Sequence, residues 1–317
     1  MRPAYPIVDV PDDAPELVEA MGSKPKFWYE DAQHGRCLFK LTRPETGEDW
    51  AEKVAAELAE MLGLPHAVVE LATWRGQRGV ISPSFVPRDG WLLHGNELLS
   101  QVVPDYPSPA APGRFCRVPQ HTLSAVLRVV ASPDIDLPAG WTAPSGVDSA
   151  LAVFVGYLMF DAWIGNTDRH HENWAFVLVP EARASALGRL RLHLAPTYDH
   201  ASSLGRNEPD SRRTARLHGN DPQFTVAAYV QKCRSALYAR EADNQPLTVS
   251  SAFAQVARLY PDAARVWLKR LKNIGAQHTG AILERVPEPR MTYLARDFAL
   301  GMLSTARARL LELGAAL

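Results

Sequence analysis

The chain has 317 residues, nearly half of them apolar, enough for a sizeable core in one large domain or two lobes. Its 34 basic residues nearly balance 35 acidic ones, so it lacks the basic footprint of a nucleic-acid binder. Cys37, Cys116 and Cys233 stand far apart with no CxxC pair, which argues against a zinc knuckle or a disulfide framework and for a reduced, cytoplasmic setting.

The N-terminus, MRPAYPIVDVPDD, has neither the basic start nor the apolar stretch of a signal peptide. A turn at Gly22-Ser23-Lys24-Pro25-Lys26 leads into an aromatic strand, Phe27-Trp28-Tyr29. A hairpin-like turn over residues 31–35 precedes a second strand over 37–41. Residues 49–62 carry helical periodicity through Val54, Ala55, Leu58, Ala59 and Leu62, with Thr46 or Asp49 as the expected cap and Gly63 and Pro65 as the stop. Strands are expected over 67–73 and 79–85. Helices dominate the rest, near 94–101, 122–131, 147–163, 222–238, 250–260, 262–273 and 291–313, and the proline-rich residues 104–119 are a connector between the lobes or an ordered loop. The longest apolar run, residues 150–160, is bracketed by Asp148 and Asp161 and falls far short of the roughly 20 residues of a membrane span. The expected class is α+β: a small β-rich N-lobe over residues 1–100 and a mainly helical C-lobe over 101–317.

Two short strands, over 174–179 and 190–195, interrupt the helical half. The polar run Asn166-Thr167-Asp168-Arg169-His170-His171-Glu172-Asn173 precedes the first, and Asp199 follows the second. A hairpin would bring both clusters to one end. Phosphoryl transfer needs a metal held against phosphates, a carboxylate near the attacking hydroxyl and a cation on the phosphates. Magnesium takes hard oxygen ligands and keeps several waters, so one carboxylate and one amide oxygen can suffice. Asp168 is the candidate base; Asn173, five residues on, and Asp199, 26 residues beyond that, are candidate ligands. Protein kinases space their catalytic Asp and metal-binding Asn likewise, although here HRD is absent and Tyr198-Asp199-His200 stands where DFG would be. Singly, such residues usually make caps and turns. A zinc site from Asp168, His170 and His171 is the weaker alternative, because adjacent histidines diverge and no third histidine follows at ligand spacing.

Four segments resemble the HipA-like kinases, the toxin kinases of bacterial toxin–antitoxin systems. They are residues 165–174, residues 194–204 (Leu-Ala-Pro-Thr-Tyr-Asp-His-Ala-Ser-Ser-Leu), residues 58–65 (Leu-Ala-Glu-Met-Leu-Gly-Leu-Pro) and the turn at 22–26. The resemblance covers about residues 20–310 and lacks the extra N-terminal subdomain of longer members. It implies a two-lobed protein-kinase-like fold and phosphorylation of serine or threonine in a protein substrate, with ATP and Mg2+ as cofactors. Asp168 would position or deprotonate the acceptor hydroxyl, and Asn173 and Asp199 would bind magnesium. Lys40 would hold the nucleotide phosphates; its alternative is a snorkelling strand lysine. Of the helix acids Glu52, Glu57 and Glu60, Glu52 is the preferred partner of Lys40, since it lies at the core edge while the other two share the solvent face. Gly22, Ser23, Lys24 and Lys26 would cover the phosphates, with Ser23 open to autophosphorylation. Residues 81–85, with Ser84 and Phe85, would face adenine, and His170 would support the catalytic loop. The implied partner is an antitoxin, with no direct nucleic-acid contact and no membrane. A small-molecule kinase on the same scaffold and a nucleotide-binding regulator without catalysis are the alternatives.

Overall fold

In the computed structural model, residues 3–18, 25–107, 118–180 and 190–317 are described. The N-terminal part comprises β1 (Ile7–Val10), β2 (Leu17–Val18), β3 (Lys26–Asp31), β4 (Gly35–Leu41), α1 (Glu48–Leu62), β5 (Glu70–Trp74) and β6 (Gln77–Pro83). Its strands form one sheet in the order β1-β5-β6-β4-β3-β2, with β1 parallel to β5 and the other pairs antiparallel. The side-chain alternation of a strand splits the sheet into two faces. Phe27, Tyr29, Cys37 and Phe39 cluster with Ala72 and Ile81 on one side. Leu71 and Val80 instead join the main core, which includes Trp50, Val54 and Leu58 of α1.

The end of α1 follows expectation: Gly63 takes a left-handed conformation, φ 73°, that a residue with a Cβ resists. Its start does not. Gly47 is the N-cap, with no side-chain cap bond. Thr46 instead donates to the Arg43 carbonyl, and Asp49 lies buried against Arg78 and Arg290 at 2.7 and 2.8 Å. The two capping candidates are thus diverted, one by a local turn and the other by a distant ion pair.

The remainder comprises β7 (Trp91–His94), α2 (Gly95–Val102), α3 (Leu123–Val130), β8 (Ile135–Asp136), α4 (Ala150–Ile164), β9 (Ala175–Pro180), β10 (Leu190–Leu194), α5 (Asp210–His218), α6 (Val226–Lys232), α7 (Val249–Leu259), α8 (Pro261–Lys272), α9 (Ala276–Leu283) and α10 (Tyr293–Ala315). β9 and β10 form the expected antiparallel hairpin, within a sheet of order β7-β9-β10-β8. β7 was not expected: it is a four-residue strand, too short for its alternation to register, and it gains its pairing from β9. The helix expected over 222–238 shrinks to α6, and the polar α5 precedes it. Only Arg213 of α5 is buried, so no apolar stripe announces that helix.

α4 is apolar on all sides, and every residue of it except Leu151 is buried. Such a helix belongs at the centre of a core, and α3, α7, α8 and α10 surround it. Each fully buried Phe or Leu contributes about 1.5–3 kcal/mol relative to exposure, so Phe154, Leu158 and Phe160 make α4 the scaffold for whatever leaves its C-terminus. What leaves it is the polar run at 166–173, starting at the left-handed Gly165 (φ 67°). Among the described residues no helix is long and apolar enough to cross a membrane. The whole is a two-lobed α+β architecture.

Candidate active site

A cavity of about 1070 Å³ opens along the sheet of the N-terminal part and the hairpin of the C-terminal part. Lys26, Lys40, Ser84, Phe85, Asp168, His170, Asn173 and Asp199 all line it. The candidates Gly22, Ser23 and Lys24 lie outside the described residues.

Lys40 sits on β4. Its Nζ is 2.8 Å from Oε1 of Glu52 and 3.6 Å from Oδ1 of Asp199. Of the three helix acids, Glu52 therefore pairs with it. Glu57 engages Lys53 and Arg285, and Glu60 engages His66. Asp199 itself has φ 56°, in the left-handed region that Asp tolerates better than most residues. That conformation immediately follows Tyr198, whose hydroxyl donates to the Glu172 carbonyl at 2.7 Å. Tyr198 also packs against Phe85 with ring centroids 5.7 Å apart. The segment after β10 is thereby pinned to the loop before β9.

The polar run is organised around a buried charge. Arg169 donates to Asp161 through Nε and Nη2, both at 2.7 Å, and to the Asn173 carbonyl at 2.7 Å. Asn166 donates to the same Asp161 carboxylate. Asp161, at the end of α4, thus holds the start and the middle of the loop that carries Asp168, and Arg169 passes the hold on to Asn173. Arg169 reaches on to Thr197, whose hydroxyl also meets His200 Nε2 at 2.8 Å. Burial, reinforced by the Arg169 charge, holds the His200 imidazole well below its ordinary pKa and so neutral.

Asp168 faces the cavity. The Asn173 amide nitrogen donates to the Asp168 carbonyl at 2.7 Å, which leaves the amide oxygen as the acceptor of that side chain. Ser202 donates to Asp168 Oδ2 at 3.3 Å, and His170 Nε2 lies 3.9 Å from Oδ1. Desolvation raises the Asp168 carboxyl above the ordinary carboxylate range, and Asp199 adds to the rise while His170, Ser202 and Arg206 oppose it. His170 and His171 diverge, their ring planes 80° apart, and His171 Nδ1 lies 2.7 Å from the Tyr106 hydroxyl. Ser84 uses its backbone N–H on the Arg36 carbonyl at 2.8 Å, so that donor belongs to the sheet rather than to the cavity.

Sequence reasoning misses Asp161, Arg169, Ser202 and Arg206 as parts of this site. Two signals point toward the first pair. An acid closing a fully apolar helix needs a buried partner, and an arginine beside Asp168 can supply it.

The geometry has relatives. The profile of the family described as HipA-like C-terminal domain matches residues 18–264. A proinflammatory kinase of Helicobacter pylori, CtkA, superposes with a TM-score of 0.69 at 18% sequence identity, over 97% of this chain and 99% of that one. HipA of Shewanella oneidensis MR-1, from a complex of a toxin–antitoxin system with HipB and operator DNA, superposes with a TM-score of 0.55 at 12% identity, over 96% of this chain and 67% of that one. These neighbours share its fold. The comparison with curated protein sequences returned no match. With the family profile covering most of its length, the chain belongs to the HipA-like family and has its kinase-like fold.

Proposed function

We propose that this chain is a magnesium-dependent kinase that moves the γ-phosphoryl group of ATP to a serine or threonine hydroxyl of a protein. The observation that carries the reading is the convergence of Lys40, Asp168, Asn173 and Asp199 on one cavity. They come from a strand, a loop and the far end of a hairpin, and loop-turn chemistry gives no reason for them to meet.

Each residue has a task in that reading. Lys40, oriented by Glu52, neutralises the nucleotide phosphates. The Asp199 carboxylate and the Asn173 amide oxygen are hard oxygen donors of the kind magnesium prefers, so the residues fit that ion. When bound, the ion would neutralise charge on the β and γ phosphates. Asp168 orients the acceptor hydroxyl and takes its proton as the hydroxyl oxygen bonds to the γ-phosphorus and the bond to the ADP oxygen breaks. Phe85 and Tyr198 offer apolar surface for adenine. The turn at 22–26 would cover the phosphates, with Ser23 as the site of autophosphorylation. The HipA neighbour, seen with HipB and operator DNA, supports an antitoxin as the partner class.

The test is transfer from γ-labelled ATP with magnesium, on the protein itself and on a cell lysate. Wild type should label protein on serine or threonine. Asp168→Asn and Asp199→Asn should not, while remaining folded. Absence of any labelled protein from wild type with every divalent metal tried would end this reading.

A further inference from the structure

Three side chains link the N-terminus of α1 to Asp168. Glu48, the first residue of α1, is 2% exposed. Its carboxylate pairs with Arg206 and also accepts from the Arg43 backbone N–H and Arg43 Nη1, each at 3.0 Å. The same point of α1 is tied to the backbone of Arg206, since the Gly47 N–H donates to the Arg206 carbonyl at 3.1 Å. The other guanidinium nitrogen, Arg206 Nη2, donates to Ser202 Oγ at 2.9 Å, and Ser202 Oγ donates to Asp168 Oδ2 at 3.3 Å. The Ser202 carbonyl accepts from the Thr167 N–H at 3.1 Å, just before Asp168.

The hydroxyl geometry gives the chain a direction. Arg206 can only donate, so it occupies a lone pair of Ser202 Oγ, and the hydroxyl proton is left to point at Asp168. With Oδ2 engaged, Oδ1 remains for an incoming hydroxyl. Glu48 lies one helical turn before Glu52, on the same face of α1. One rigid helix thus sends one carboxylate to Lys40 on the nucleotide side and another, through Arg206 and Ser202, to Asp168 on the acceptor side.

We infer that Ser202 and Arg206 are positioning residues for Asp168, and that Glu48 makes their position depend on that of α1. The inference rests on the kinase reading above. It assigns no chemistry to Ser202, which acts only by fixing the carboxylate.

Steady-state transfer from ATP to dephosphorylated casein, with labelling of the chain itself followed in parallel, tests this. Ser202→Ala should lower kcat about tenfold, the scale of one hydrogen bond to a charged group. The KM for ATP and the thermal unfolding midpoint should stay as in wild type, and Ser202→Thr, which retains the hydroxyl, should recover most of kcat. Glu48→Gln should lower kcat in the same direction, and adding it to Ser202→Ala should cost little more, because both cut one chain of contacts. An active wild type with unchanged kcat in Ser202→Ala, or without recovery in Ser202→Thr, or with fully additive losses, overturns the inference and leaves the kinase reading standing. A wild type that labels neither casein, nor itself, nor any lysate protein with any divalent metal tried overturns both.

Discussion

Arg169 and Asp161 form a two-pronged ion pair inside the protein, both contacts at 2.7 Å, with only 1% and 3% of the two side chains exposed. The pair joins the end of the central helix to the middle of the loop that carries Asp168. It is a positional device: the helix cannot shift without carrying the loop along.

Breaking it should therefore damage the fold before the chemistry. Removing one partner of a buried pair leaves an uncompensated charge and costs about 3–5 kcal/mol. Denaturant unfolding of Arg169→Leu should show a loss of that size. Arg169→Lys should not restore the wild-type value, because an ammonium cannot reproduce the fork that meets Asp161, Asn173 and Thr197 together.

On the nucleotide side, Lys40→Met should reduce kcat/KM for ATP by roughly 10²–10³, the scale of removing one electrostatic stabiliser of a developing charge. Glu52→Gln should cost less, since Lys40 keeps its 3.6 Å contact with Asp199. Initial rates over a series of ATP concentrations separate the two variants, and equal losses would show that Glu52 does more than orient Lys40.

The metal reading makes a separate demand on Asn173. Asn173→Ala should raise the magnesium concentration for half-maximal transfer by roughly 10- to 100-fold. It would also release the amide bond to the Asp168 carbonyl. Titrating magnesium at saturating ATP tells these effects apart: a loss of metal affinity recovers at high magnesium, a misplaced Asp168 does not.

Acid should destabilise the protein through His121. It is buried against Trp174, whose indole N–H donates to Nε2 at 3.1 Å, and its Nδ1 faces the Ala236 carbonyl at 3.0 Å. This burial pushes its pKa down from 6.5 to about 3. Between those values the unfolded chain binds a proton that the folded one refuses. The contribution is fully present above pH 6.5 and is lost as pH falls toward 3, by about 1.4 kcal/mol per pH unit. Unfolding free energies of His121→Gln measured across that window should show a shallower acid slope than wild type.

Much of this architecture is legible in residue order, for local reasons. The periodicity of 49–62 and the apolar run at 150–160 mark helices because burial on one face or on all faces leaves a repeating pattern along the chain. The same locality explains the failures. α5 is a polar helix held by ion pairs such as Arg213–Asp210 and Arg216–Glu208, so periodicity does not mark it. β7 is four residues long and becomes a strand by pairing with β9. Thr46 and Asp49 both suit an N-cap, and the distant partners Arg78 and Arg290 explain why Asp49 is not one.

The sequence by itself determined the class of the protein: a mixed fold, a loop with acid and amide at a telling spacing, and a second acid beyond a hairpin. Which groups meet was decided by tertiary structure. Glu52, Glu57 and Glu60 are chemically alike, and the packing of α1 on the sheet selects Glu52 for Lys40. Ser202 and Arg206 look like ordinary loop residues until the chain folds their segment under α1 and beside Asp168. Residue order encodes the period of burial, which is local. Partner choice among like charges depends on contacts between residues far apart in the chain, and those exist only in the packed molecule.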